Sequence, residues 1–536
     1  MKLHFFTVND IEDYRKNYRF SLEAREVATM ENIKPNANPE ILLSKLLKRL
    51  YAQSDFLDDF DKKSFTQKMV QFALRSKYLQ KFKERAKEEF DQEFFCYFLK
   101  KVYKVPQEFL ESEIYGEADA HGLKLDFNFG LRLDVPEGNF QVRISDFDTE
   151  QIYFDEYISD CRLISVENYF IRWHVEVFLD GEKIFTHTLN LEGQPVAVKF
   201  VSTSLGDTLA VLPYLREFKK IHRCDLHILP PDYLREMVEQ FCPDIPIIYE
   251  LNFKTYATYY VVIGMSSFPF AVADCRKTSI TRMPGNLFGI HYLLPNIVFK
   301  PSGTPITNEP YVCIGVQASK VRKTWLYPGG WDVVVDYLKS LGYRVFCIDM
   351  NAEETGDGYT VRKPDGAEDF TGNLPLMERA NMLYHAKFFV GLASGLSWLA
   401  DAVDCPVVMI CGFSQGWCEF YTPYRVANRK VCNGCYNDPN VFYLFNKCPY
   451  HKDTPRELEC QKKISPRMVI NAIDRLIADK KFYSLHKDTP RESEYQKKIS
   501  PQMVINAIKR LTPDKKSRAD KILSQTVSRS SAELVD

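Results

Sequence analysis

The feature that most constrains this 536-residue chain is an alternation running from Gln194 to Cys411. Short apolar runs at 196–201, 225–229, 246–251 and 259–264 are separated by amphipathic stretches at 207–220 and 232–241. Strand-length runs rich in β-branched and aromatic residues, set between helical periodicities, predict a parallel α/β sheet. A stretch from Met283 to Pro310 with five prolines and three glycines then reads as a linker. After it the alternation restarts, with strands at 311–317, 343–350, 387–392 and 406–411 and helices at 330–341, 376–386 and 396–403. The chain is therefore expected to contain two facing nucleotide-fold domains, 194–290 and 306–425, with a cleft between them.

Ligands of open α/β sheets bind where the carboxyl ends of strands meet helix starts. Three such places stand out. Ser204-Leu205-Gly206-Asp207 joins the first strand of the first unit to its helix and sets one carboxylate in the crevice. Asp207 is either a base or only a helix cap. In the second unit, Ala393-Ser394-Gly395 opens a helix whose free N–H groups, with the Ser394 and Ser397 hydroxyls, make an anion site suited to a diphosphate. The loop Gln317–Trp325 carries Lys320, Arg322 and Lys323 just past a strand; it is a phosphate-neutralising cluster or a solvated loop. No Walker loop and no Gly-x-Gly-x-x-Gly fingerprint is present, which disfavours ATP hydrolysis and NAD chemistry.

Outside the two units the periodicity changes. Residues 1–112 are charged, with apolar residues at helical spacing, and predict a helical region without evident chemistry. Residues 120–193 alternate apolar and polar, and Asp180-Gly181 between two such runs predicts a hairpin in an antiparallel β domain. Its Trp173, His174 and His187 have no second ligand at metal spacing and read as packing or surface residues. With 70 basic against 71 acidic residues the balance suggests neither a nucleic-acid nor a membrane-surface partner. The N-terminus has the pattern of neither a signal peptide nor a span, so the expected location is cytoplasmic.

Fourteen cysteines in such a setting read as thiols rather than a disulfide framework. Cys432 and Cys435 form a C-x-x-C knuckle, and Cys448 and Cys460 follow after twelve and eleven intervening residues. Four thiolates at this spacing can enclose one tetrahedral metal, zinc or iron, with no position left open for catalysis. This finger and its helix occupy 426–480. The segment from His451 is repeated from His486 at a period of 35 residues, but Tyr495 replaces Cys460, so only the first copy completes the set. Residues 481–536 are thus a duplicated segment and tail.

Together, SLGDTLAVLPYL, QASKVRKTW and GLASGLSWLADAVDCPVV resemble the ADP-heptose glycosyltransferases, most closely their autotransporter O-heptosyltransferase branch. The resemblance covers residues 120 to about 480. It implies a GT-B pair of Rossmann-type domains behind a β domain and ahead of a four-cysteine finger, and the transfer of heptose from ADP-heptose to serine hydroxyls of an adhesin passenger. By the same resemblance Asp207 is the general base of an inverting transfer. Thr203, Gly206, Ser319, Lys323, Trp325, Ser394, Gly395, Leu396 and Ser397 bind the donor, and Cys432, Cys435, Cys448 and Cys460 hold one structural metal, iron by analogy. A homo-oligomer is expected. The alternatives are transfer to lipopolysaccharide core and a non-catalytic sugar-nucleotide fold serving as a scaffold.

Overall fold

The computed structural model describes residues 112–483 apart from 166–168, 253, 265–270, 295, 357 and 439–447, together with the backbone of residues 6 and 7. By internal contacts the chain divides into a unit up to Leu476 and another from Ile477. The helical region expected over residues 1–112 lies outside the described residues, except at Phe6–Thr7. That pair is a strand, β1, which departs from the helical expectation there. The duplicated segment also lies outside them.

The β region comprises β2 (Glu117–Ala118), β3 (Lys124–Asp126), β4 (Arg132–Val135), β5 (Phe140–Asp146), β6 (Ile152–Ile158), β7 (Cys161–Ile164), β8 (Trp173–Leu179) and β9 (Glu182–Thr188). They form two antiparallel sheets in the orders β1-β7-β4-β3-β2 and β6-β5-β8-β9. Alternation selects the core face. Val142 and Ile144 of β5 sit opposite Val177 and Val175 of β8, all fully buried. Asp180 and Gly181 both take positive φ, 50° and 86°, as a two-residue hairpin turn requires.

This β region is joined to the first α/β unit. Phe127 N–H donates to the Tyr256 carbonyl at 2.8 Å, and the Thr255 and Thr258 hydroxyls both donate to Asn128 Oδ1 at 2.6 Å. Beneath lies a fully buried pair, Arg132 Nε donating to Asp126 Oδ1 at 2.7 Å, with Asn128 and Ser112 completing its hydrogen bonds. A charge pair this dry persists only when its remaining polar atoms are also satisfied.

In the first α/β unit, β10 (Pro195–Phe200) lies between β11 (Asp225–Leu229) and β12 (Ala257–Val261), all parallel. Helix α1 (Leu205–His222) follows β10, and α2 (Arg235–Phe241) follows β11. The strand expected at 246–251 is only a single bridge, Ile247 to Ile228. Pro246 offers no N–H and Tyr249 is 78% exposed, so the run lacks the two-sided burial of a parallel strand. The stretch expected to be a linker from Met283 opens as a helix, α3 (Met283–Phe288), whose Phe288 packs on Phe218 at 5.1 Å. Irregular chain begins only at Gly289, which closes α3 with φ 68°.

The second unit is a six-stranded parallel sheet, β17-β14-β13-β18-β19-β20. Its strands are β13 (Tyr311–Ile314), β14 (Arg344–Cys347), β17 (Glu368–Asp369), β18 (Phe389–Leu392), β19 (Val407–Ile410) and β20 (Arg425–Val426). Helices α4 (Gly330–Ser340), α5 (Leu376–His385) and α6 (Gly395–Ala402) alternate with them. A hairpin of β15 (Glu353–Gly356) and β16 (Tyr359–Arg362), not anticipated from the sequence, interrupts the alternation. Two helices close the described chain, α7 (Glu459–Lys462) and α8 (Pro466–Tyr483). No described helix is long and apolar enough to cross a membrane.

Candidate active site

The turn after β10 is held from three sides. The Val201 and Ser202 N–H groups donate to the Val261 carbonyl, and Ile263 N–H donates to the Ser202 hydroxyl at 2.9 Å. Ser204 is the N-cap of α1, its hydroxyl accepting from Asp207 N–H at 3.2 Å. The capping residue of this helix is therefore Ser204, which leaves the Asp207 carboxylate available for another task. Tyr233 donates its hydroxyl to the Thr203 carbonyl and fixes the exposed front of the turn.

Asp207 is half-buried, and burial pushes its pKa up to about 6, opposed by the Ser204 hydroxyl, the Lys323 charge and the Ser202 hydroxyl. A carboxylate in this range is ionised at neutral pH and basic enough to take a proton from an attacking alcohol. Lys323 reaches it from the second unit, at the end of a short 3-10 turn, Val321–Lys323. The two sequence candidates for base and phosphate cation thus lie within electrostatic reach of each other.

Two glycines let the units approach. A Cβ on Gly206 would sit 2.8 Å from Cδ1 of Trp398, and one on Gly395 would sit 3.1 Å from Cβ of Leu205. Neither glycine is there for a left-handed backbone; each removes a side chain where α1 and α6 begin side by side. The start of α6 offers the N–H groups of Gly395 and Leu396, unpaired within the helix by its geometry, beside the half-buried Ser394. These are the elements of a candidate anion site at the seam where the candidate base Asp207 also lies.

Two expected donor contacts are otherwise employed. Ser397 is fully buried and donates its hydroxyl to the Leu392 carbonyl at 2.5 Å, tying α6 to β18. Trp325 is 2% exposed, packs edge-on against Trp331 at 5.0 Å and donates its indole N–H to the Ile464 carbonyl at 2.8 Å. Both shape the site from behind, because their polar atoms are committed inside the fold. Thr203 and Ser319 are exposed.

The chain after Cys460 grips the lysine loop. Gln461 donates to the Arg322 carbonyl at 2.5 Å and accepts from Leu326 N–H at 3.3 Å. Cys435, Cys448 and Cys460 are buried and Cys432 half-buried. Burial pushes the Cys435 thiol up to about 12, with Cys448 and Cys432 adding to the rise. Burial likewise raises Cys460, and Cys435, Cys448 and Cys432 contribute. Even so, among the described residues no group of three or more His, Cys, Asp or Glu side chains is gathered in a form that could hold a metal ion. The donor type itself fits a soft metal, since four thiolates are a ligand set that both zinc and iron accept.

Sequence reasoning missed Ser202, Tyr233, Cys275 and Tyr436 around Asp207. The last two have no spacing signal, since 161 positions separate them.

Two parallel-sheet units meeting near a carboxylate, a lysine and a helix start have the architecture of a glycosyltransferase. Comparison with known proteins narrows the class. Residues 295–446 match the model of glycosyltransferase family 9 (heptosyltransferase), and residues 120–181 match that of the glycosyltransferase TibC N-terminal domain. The autotransporter heptosyltransferase TibC of Escherichia coli O78:H11 is 38% identical over 379 residues, 67% of this chain and 91% of the relative. The inactive autotransporter heptosyltransferase BimC of Burkholderia thailandensis is 31% identical over 363 residues, 66% of this chain and 85% of the relative. A crystal structure of dodecameric iron-containing heptosyltransferase TibC in complex with ADP-D-beta-D-heptose superposes with a TM-score of 0.65 and 36% identity. The match spans 68% of this chain and 98% of that one. The chain belongs to the autotransporter heptosyltransferase family.

Proposed function

We propose that this protein transfers heptose from ADP-heptose to serine hydroxyls of an autotransporter adhesin, with inversion at the anomeric carbon. The observation that carries the reading is the Asp207 carboxylate lying within the field of Lys323 where α1 and α6 begin together. Asp207 accepts the proton of the serine hydroxyl as its oxygen bonds to the anomeric carbon and the bond from that carbon to the diphosphate oxygen breaks. Charge growing on the departing ADP meets Lys323 and the N–H groups of Gly395 and Leu396, with Ser394 beside them.

Cys432, Cys435, Cys448 and Cys460 would hold one metal, iron by kinship with TibC and zinc by ligand type alone. Bound there, the metal supplies structure only, since four sulfurs fill a tetrahedral shell. A homo-oligomer fits the dodecameric relative. A cytoplasmic setting fits the buried cysteines of the two α/β units, such as Cys224, Cys242, Cys313 and Cys347, which are thiols.

Incubating the protein with ADP-heptose and an adhesin fragment, and weighing the fragment intact, tests the reading. Mass increments of one heptose support it and their absence with Asp207→Ala assigns the base. A second reading, a non-catalytic member, is favoured by the inactive BimC relative and would be adopted if the wild type leaves the fragment unmodified. The intact Asp207 and Lys323 argue for catalysis.

A further inference from the structure

Beyond the donor and base residues, the second unit reaches the first at one more place. Tyr436, the residue after Cys435, donates its hydroxyl to Sγ of Cys275 at 3.0 Å. Its N–H donates to the Phe413 carbonyl at 3.1 Å, and its ring rests on that of Phe413 at 5.1 Å. The Arg322 guanidinium lies over the same Phe413 ring at 5.2 Å. A continuous stack thus runs from the neighbour of Lys323, through Phe413 and Tyr436, to Cys275.

Two hydrogen bonds between the units flank it. Asn437 donates to the Arg276 carbonyl at 3.5 Å while accepting from Gln415 N–H at 2.8 Å, and Ile280 N–H donates to the Cys418 carbonyl at 2.8 Å. Segment 413–437 of the second unit is therefore fastened to segment 275–280 of the first. The fastened segment also reaches the start of α1, because a Cβ on Gly206, the neighbour of Asp207, would sit 2.8 Å from Cδ1 of Trp398, and the Trp398 ring meets that of Phe420 at 5.1 Å.

We propose that Tyr436 is a positioning residue. Through its bond to Cys275 it clasps the two Rossmann-type units in the closed relation that sets Asp207 opposite Lys323. The inference rests on Asp207 being the base. It differs from simple packing in what it affects: removing the Tyr436 hydroxyl leaves the ring stack beneath Arg322 in place on the donor side, whereas the placement of the base relative to the bound sugar depends on the bond to Cys275.

Tyr436→Phe keeps the ring and removes the donor. Loss of one such bond should lower kcat by about five- to tenfold, leave the KM for ADP-heptose within about twofold, and leave bound metal unchanged. Hydrogen exchange in the intact protein should quicken at 275–283 and at 205–210. An unaltered kcat, or a fall explained wholly by KM, overturns the inference, as does unchanged exchange at both segments. Asp207→Ala assayed in parallel separates the two ideas. If that variant still transfers heptose the base assignment fails, and the exchange measurement then decides the clasp alone.

Discussion

At the scale of single residues, the consequences of Asp207 can be worked out in sign. Its folded pKa, about 6, lies above the ordinary value of 3.8, so the fold penalises the ionised form. The stability it contributes is present below the unfolded value and lost as pH rises through about 6. Asp207→Asn should therefore melt higher than wild type near pH 7.5, by roughly 1–3 kcal/mol, with the gap closing below about pH 4 in thermal scans. The same variant should lose transfer by roughly 10²–10⁴-fold. In the wild type, kcat should fall as pH drops through about 6, and a flat profile from pH 5 to 8 would exclude Asp207 as the base. Lys323→Ala should cost roughly 10²-fold in kcat/KM, checked by steady-state rates at varied ADP-heptose. Asp207 and Lys323 were legible because each follows a strand. Cys275 and Tyr436 were not, since only tertiary structure makes them neighbours. Ser397 and Trp325 misled for the opposite reason: a motif position says nothing about which way a polar atom faces.

Among elements, the informative pair is α1 and α6. Gly206→Ala would drive a methyl into the Trp398 ring and Gly395→Ala one into Leu205, so each change wedges the two helix starts apart. Both variants should fold, with circular dichroism near wild type, yet lose about tenfold or more in kcat/KM from sub-ångström misplacement. Full activity in Gly206→Ala would show that the contact is incidental. The elements themselves were mostly foreseeable, because buried parallel strands are written as continuous apolar runs. The failures have separate causes. Residues 246–251 look strand-like but face solvent at Tyr249, α3 hides in a segment whose Pro284 suits a helix start, and β15–β16 has no buried face to leave an alternating pattern.

On the scale of the whole molecule, the chain just past Cys460 and the lysine loop form one mechanical system. Just past Cys460, the Gln461 side chain holds the Arg322 carbonyl next to Lys323, and the Ile464 carbonyl holds the Trp325 indole. Cys432→Ser should abolish metal retention, measured by elemental analysis, and raise the KM for ADP-heptose by about tenfold or more. A wild-type protein that binds no metal would dismiss the finger. Sequence spacing was enough to nominate the four sulfurs; that their scaffold also braces a loop more than a hundred positions earlier needed the fold.

The knot at Asn128 carries a mechanical corollary. Because Thr255 and Thr258 are both anchored to that one side chain, the leading sheets and β12 are tied into one block. Any opening between the two α/β units must then bend the chain elsewhere, and the irregular stretch beyond Gly289 is left as the fulcrum.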